Sequence, residues 1–393
     1  MPCDFAVAMG PQRIAKNSRI VIAGAGIGGL ATALALKQRG FRPIVCERAP
    51  ELKEIGAGLL LSPNGVRALE FLGLRKTATS LSRVIREWRI LDRTGHCLQR
   101  MSPCHRELPA LSLHRADLQQ LFLKMMPTDC LNLGAEVSRF QHNASVVEVL
   151  LTSGKAIAAD ALIGADGLRS SVRALRFGPQ PPAYSGYVGW RGVSPWIPDA
   201  YKGEHLSESW AEGKRFGISP MGNGRCYWYA TANRAADQNS AGDNRHAELL
   251  RLFGHWHAPI SKLIEATQKE NILQSDIYDR PAQHPWSDGP VTLLGDAAHP
   301  MTPNLGQGAC FALEDACVIA RCIEEAGNFP EAFGRYERMR RSRTDIVQRC
   351  SRWMGKLIQI EKPAATTLRD LILSATPNKA ADLSIRRLFS FTP

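Results

Sequence analysis

The apolar positions open in a strand, helix, strand rhythm. Arg19–Ala23 is a short run rich in β-branched residues, Gly28–Arg39 is rich in Ala and Leu, and Pro43–Glu47 returns to strand character. A βαβ unit is the expectation. Leu69–Ile90 reads as helical and then extended, Leu113–Met126 carries an apolar helical pattern behind His114, Arg115 and Asp117, and alternation over Ser145–Thr152 predicts a half-buried strand. Ala161–Gly164 leads into an Asp-Gly turn. From Tyr184 to Ala232 the character changes: aromatic residues, among them Trp190, Trp210, Phe216, Tyr227, Trp228 and Tyr229, stand among β-branched residues and glycines, which predicts an antiparallel sheet in a separate lobe. A polar loop is expected over Arg234–Arg245, a helix over Ala247–Thr267, a strand over Val291–Leu294 and a helix over Ala309–Glu325. From Arg335 onward the chain is basic and mostly helical in pattern.

Composition narrows this picture. With 44% hydrophobic and 22% charged residues in 393, the chain has the means to bury a sizeable core, which excludes disorder and coiled coil as its organising principle. Its net charge of +12 points to anionic company without saying whether that is nucleotide, nucleic acid or membrane surface. Rows of Lys and Arg lack the aromatic interleaving of a single-strand nucleic-acid groove, so no nucleic-acid partner is expected. The longest uncharged run, Ile20–Leu36, is interrupted by Gly24, Gly26, Gly28 and Gly29 and is read as strand, turn and helix, not as a membrane span. Residues 1–17 lack a secretion signal's basic start and apolar stretch and are expected to form an extension. Ten cysteines occur without a single C-x-x-C pair, which fits reduced thiols in a cytoplasmic protein and no metal site. Cys310, Cys317 and Cys322 sit at helical spacing among apolar neighbours, as small buried hydrophobes do.

The strongest chemical signal is Gly24-Ala25-Gly26-Ile27-Gly28-Gly29 between the first strand and helix. Gly24 allows the tight turn, Gly26 lets a pyrophosphate approach the backbone, and Gly29 lets helix and strand pack closely, with the phosphates at the positive end of the helix. Glu47 ends the next strand, where a carboxylate accepts hydrogen bonds from ribose hydroxyls; Arg48 follows it. These residues predict a bound dinucleotide and do not distinguish flavin from nicotinamide. The loop Pro303-Asn304-Leu305-Gly306-Gln307-Gly308 adds a second argument: glycines beside a helix start let backbone N–H groups lie against a flat ring, and Pro303 stiffens the approach.

Two further stretches, LIGADGLRSSVR around Asp166-Gly167 and LLGDAAHPMTPNLGQGACFALEDA around Gly295-Asp296, follow strand-like runs in the same order as the GxGxxG, DG and GD motifs of the group A flavoprotein monooxygenases. The chain resembles that family from about Arg19 to Arg352. The resemblance implies a mixed α/β fold with a Rossmann-like FAD-binding lobe over 18–75, 107–180 and 278–356, an antiparallel-sheet substrate lobe over 76–106 and 181–277, and a C-terminal helical tail over 357–393. It implies FAD as the cofactor and NAD(P)H as a transient co-substrate, since no second GxGxxG is present. By the same resemblance Asp296 bonds the ribityl chain, Arg115 lies near the flavin phosphates or ribityl chain, and Asp166-Gly167, with Arg169 and Arg173, serve flavin and pyridine nucleotide. Gly306, Gln307 and Gly308 are expected at the flavin ring, and His299 is expected to support the loop or act as a base.

The activity implied is insertion of one oxygen atom from O2, through a flavin C4a-hydroperoxide, into a small hydrophobic substrate. Within the family, GYVGWRG, TPNLGQG and the run from Gly213 to Tyr227 are most similar to a branch of alkyl-quinolone, urate and hydroxybenzoate hydroxylases and xanthophyll epoxidases. Arg215 and Tyr227 resemble an arginine and a tyrosine that face substrate in urate-oxidising members, and with Pro303 they are the candidate catalytic residues. An aromatic or heteroaromatic substrate, narrowly an alkyl-quinolone, is expected. The alternatives are an isoprenoid epoxidase and a non-catalytic FAD-binding redox or interaction protein. Arg335, Arg338, Arg340, Arg341 and Arg343, followed by Leu371, Ile372, Leu388 and Phe389, suit either a helix packed on the protein or one touching a membrane surface. Monomer and homodimer stay open.

Overall fold

The computed structural model describes residues 13–52, 57–104, 108–143, 146–238 and 242–392. Residues 1–12 of the expected extension, Ser145 and the expected boundary at 106–107 lie outside the described residues. Within 13–17 the chain is tied down: Ile14 is buried and its N–H donates to the Ala326 carbonyl at 3.2 Å.

The βαβ opening forms as the pattern predicts. Strand β1 (Arg19–Ala23) pairs in parallel with β2 (Arg42–Glu47) and with Ala161–Gly164, and Val291–Leu293 and Leu131–Leu133 complete a five-stranded parallel sheet. Such a sheet needs cover on both faces. Helix α1 (Ile27–Gln38) is apolar almost all round, and it packs on both this sheet and the helix Gly308–Glu325. Cys310, Cys317 and Cys322 of that second helix are buried in the core, and burial pushes their thiols up to about 12, 12 and 11.

A seven-stranded sheet makes the second lobe, in the order Leu273–Asp279, Ala183–Ser194, Cys226–Asn233, Lys214–Pro220, His205–Ala211, Glu87–Asp92, Cys97–Met101. Its neighbours are antiparallel except His205–Ala211 beside Glu87–Asp92, which run parallel. Period-two alternation divides its faces. Trp190, Phe216, Ile218 and Trp228 pack with Leu249, Phe253, Ile260 and Leu263, and the rings of Phe216 and Trp228 stack at 5.5 Å. Glu208, Arg215, Tyr227 and Tyr229 point the other way, towards the nucleotide lobe. The single helix expected over Ala247–Thr267 is two, Gly242–Phe253 and Ile260–Glu265, the first beginning inside the stretch read as loop. Gly254 and Pro259 account for the break, because proline has no N–H to continue the helical ladder.

The helix Phe329–Ile358 runs from the nucleotide core, where Phe333 and Tyr336 are buried, to the outer part of the large sheet, where Ile358 meets Ile90, Leu98 and Trp210. Two more helices, Pro363–Ala375 and Asn378–Phe389, cover the edge strand: Gln99 Nε2 donates to the Thr376 carbonyl at 3.1 Å and the Ser102 N–H to Asp382 at 2.7 Å. The basic run is not one surface. Arg340 is buried between Glu314 and Asp315, and Arg343 pairs with Glu314, because the helix turns these positions inward. Phe389 is also buried.

Candidate active site

Two cavities meet at the C-terminal ends of β1 and β2, where ligands of open α/β sheets bind. The smaller, about 230 Å3, is bordered by Gly24, Gly26, Glu47, Arg48, Asp166 and Gly167. The larger, about 760 Å3, lies between the large sheet and the loop 301–309. Arg115 and Arg169 border both, so the two form one cleft with guanidinium groups at the junction.

The glycines divide their work as the sequence predicts. Gly24 has φ +102°, a conformation that favours glycine, and an added Cβ would stand 2.6 Å from the Ala165 carbonyl oxygen. A Cβ on Gly29 would fall 2.0 Å from the Gly24 oxygen, so this position serves helix–strand packing. Nothing lies within 4 Å of a Cβ on Gly26, which leaves the backbone open to a ligand. Glu47 accepts the Ala25 N–H at 2.7 Å and the Ala49 N–H at 3.0 Å, which fixes the carboxylate at the cavity wall.

Asp166 caps the short helix Ser171–Phe177 with one oxygen, accepting from the Ser171 N–H at 2.7 Å and the Val172 N–H at 3.2 Å. Its other oxygen is buried without a partner among the described residues. Burial raises its pKa above the ordinary carboxylate value. Asp296 has no hydrogen-bond partner among the described residues either, and it sits deep in the fold; the surface it exposes is cavity wall. Burial raises its pKa against the pull of His299 and Arg115. Gly306 takes the left-handed conformation that turns the chain into the helix Gly308–Glu325, and Pro303 opens the 3-10 turn before it. The Gln307 side chain faces inward, donating to Ser62 Oγ at 3.0 Å and accepting from Asn64 at 2.9 Å, so a cavity contact at this position falls to its backbone.

On the sheet wall, Arg215 is 2% exposed and donates to Asn304 Oδ1 at 3.1 Å. The Tyr227 hydroxyl has no partner among the described residues, and burial raises its pKa while Arg191 and Arg215 oppose the rise. One expectation changes and one is narrowed. Arg173 does not reach either cavity: it is buried and donates to the carbonyls of Ala297 and Ala298 at 2.9 and 3.2 Å and to Gln283 at 2.7 Å, bracing the loop that carries Asp296. His299 borders neither cavity. It bonds Asp315 at 2.6 Å, and Asp315 also accepts the Gly295 N–H at 3.0 Å and binds Arg340 at 2.6 Å, so the group supports the loop.

Sequence reasoning missed Glu208 and Tyr229. Glu208 is 3% exposed on the cavity wall, accepts from Trp210 Nε1 at 2.9 Å and from the Tyr229 hydroxyl, and stands 3.8 Å from the Arg215 guanidinium. Gly217 lies between Glu208 and Tyr229 in register and leaves room for the tyrosine ring. The alternation of Leu206, Glu208 and Trp210 puts the three on one face, and it is the register with Lys214–Pro220 that makes it the face that holds Arg215.

The cleft fits a flavin dinucleotide on its own chemistry: a buried orphan carboxylate oxygen at Asp166, an unpaired carboxylate at Asp296, and backbone at Gly26, Gly306 and Gly308 with space for a flat or anionic group. Comparison with known proteins agrees. The family model described as an FAD binding domain matches residues 17–349. The chain is 39% identical over 378 residues to an aurachin C monooxygenase/isomerase from Stigmatella aurantiaca, covering 95% of this chain and 98% of that one. It is 33% identical to a 3-amino-4-hydroxybenzoate 2-monooxygenase from Streptomyces cremeus, covering 92% and 93%. Among solved structures, Klebsiella pneumoniae HpxO complexed with FAD and uric acid superposes with a TM-score of 0.88 at 30% identity, covering 95% of this chain and 96% of that one.

Proposed function

The chain belongs to the FAD-binding-domain family of monooxygenases, and from that premise we propose that its substrate is a hydrophobic heteroaromatic ring of the alkyl-quinolone kind, held between the large sheet and the loop 301–309. It is an FAD-dependent monooxygenase with NAD(P)H, typical of the family, as reductant. When bound, FAD supplies the redox chemistry that activates O2 and delivers one of its atoms.

The protein's share is binding, orientation and exclusion of water. Gly24, Gly26, Glu47, Arg48, Asp166 and Gly167 hold the nucleotide end, Arg115 and Arg169 face the junction, and Asp296 with the backbone of 306–308 holds the ring end. Arg215 and Tyr227 orient the substrate from the sheet: Arg215 through N–H groups left over from Asn304, Tyr227 through a hydroxyl free to donate to a ring oxygen or nitrogen. Pro303 keeps the facing loop rigid. The observation that carries this reading is the cavity of about 760 Å3 that joins the Asp296 wall to the Arg215 and Tyr227 wall.

The test is NAD(P)H consumption in air by the FAD-loaded protein with alkyl-quinolones, hydroxybenzoates, urate and isoprenoids. Stimulation by an alkyl-quinolone, with a product one oxygen atom heavier, is the expected result. Stimulation by an isoprenoid alone, giving an epoxide, overturns it.

A second reading concerns the tail. Among the described residues no helix is long and apolar enough to cross a membrane. Leu368, Leu371, Ile372 and Leu383 stand exposed on the two last helices, the second of which also carries the exposed Lys379 and Arg386, and this supports contact with an anionic membrane surface. Co-sedimentation with anionic but not neutral vesicles, lost in Leu371→Asp/Ile372→Asp, is expected; equal recovery with and without vesicles rejects it.

A further inference from the structure

The sheet wall of the large cavity carries its own charge compensation. Arg215 and Glu208 are both almost fully buried, 3.8 Å apart, on neighbouring strands. Among the described residues the lining holds four arginines and four carboxylates, and no lysine or histidine. Arg115 and Arg169 border the smaller cavity as well, and of the two arginines on the sheet wall, Arg191 and Arg215, it is Arg215 that is paired with a buried carboxylate, Glu208. Glu208 is held in place by three groups: the Tyr229 hydroxyl, Trp210 Nε1 and the Arg215 charge. A carboxylate has about four acceptor positions and two of these are taken by hydrogen bonds, so two remain. Arg215 has five N–H donors and one hydrogen bond, to Asn304, among the described residues.

We propose that Glu208 is a specificity-determining residue: it sets this pocket for an uncharged ring that presents both an N–H or O–H donor and a carbonyl acceptor, and turns away aromatic carboxylates and other anions. The inference rests on the reading of the cavity as the substrate site. An anionic ring brought to Arg215 would meet a guanidinium already neutralised, with a second negative charge beside it in a water-poor place, where like charges repel strongly. A neutral vinylogous amide such as a 4-quinolone meets no such opposition. Its carbonyl can take the unused Arg215 donors and its N–H an unused Glu208 position.

The experiment titrates the FAD-loaded enzyme with 2-methyl-4-quinolone and with quinoline-4-carboxylate, two flat rings of similar size, and follows the bound-flavin absorbance. The wild type is expected to bind the neutral ring at least about tenfold more tightly. Glu208→Gln should lower that ratio by about tenfold or more through gain of the carboxylate, while Tyr229→Phe, which keeps the charge, leaves the ratio in place. Flavin content after gel filtration verifies that each variant is folded. Equal binding of both probes by the wild type, an unchanged ratio in Glu208→Gln, or no flavin response to either probe overturns the proposal. Failure of the monooxygenase reading shows separately, as absence of an oxygenated product while the binding ratio stands.

Discussion

Replacing Asp296 by alanine should separate holding the cofactor from holding the fold. The carboxylate has no hydrogen bond among the described residues and faces the cavity, so its removal breaks nothing in the protein. Its folded pKa is raised, above all by burial. A carboxylate shifted in that direction contributes stability only at low pH, fully below the ordinary value of 3.8, and the contribution is lost as pH rises through the folded pKa. At neutral pH the apoprotein of Asp296→Ala should therefore melt at the same temperature as the wild type or higher, with the gain vanishing in acid. Flavin binding moves the other way. One hydrogen bond to a charged group is worth about 1.5 to 3 kcal/mol, which is roughly a 10- to 150-fold rise in Kd. The assay is fluorescence titration of apoprotein with FAD beside a melt of the same sample. Unchanged FAD affinity would refute the assignment, and a lowered apoprotein Tm would refute the claim that Asp296 is idle in the fold.

Gly26→Ala and Gly29→Ala should fail differently. The first has space for its Cβ and should give a folded protein that does not retain FAD, whereas the second drives a methyl to 2.0 Å from the Gly24 carbonyl oxygen and should not fold; circular dichroism and flavin absorbance distinguish them. Asp315→Asn removes one partner of the buried Arg340 and His299, which should cost about 3 to 5 kcal/mol in denaturant unfolding. Burial alone would raise the Asp315 pKa, but His299 and Arg340 outweigh it and hold it at about 2. Its stabilisation is thus complete above the ordinary 3.8 and fades as pH falls to about 2, so the two proteins should converge in that window.

The nucleotide lobe was legible because its instructions are local. The β-branched run, the glycines and Glu47 lie within 30 residues of one another and specify one turn. The loop Pro303–Gly308 was readable for the same reason, whereas the role expected of Asp296 came from a family resemblance. The sheet wall was readable only in part. Arg215 and Tyr227 came from a family resemblance, but Glu208 enters through cross-strand register with Gly217, which no spacing along the chain announces. Arginines misled in both directions: Arg173, expected near the cofactors, is spent on carbonyls, and Arg340, expected in a basic tail, is an internal counter-ion. A long guanidinium side chain reaches several environments, and only packing decides between them.

The parallel pairing of Glu87–Asp92 with His205–Trp210 bears on how this lobe can be exchanged between relatives. A chimera that takes only 183–279 from another member would import five strands and leave the host's 87–101 to meet them across a foreign edge. The large sheet is therefore built from two separate stretches of chain, and recombination that transfers one without the other should yield insoluble chains more often than altered enzymes.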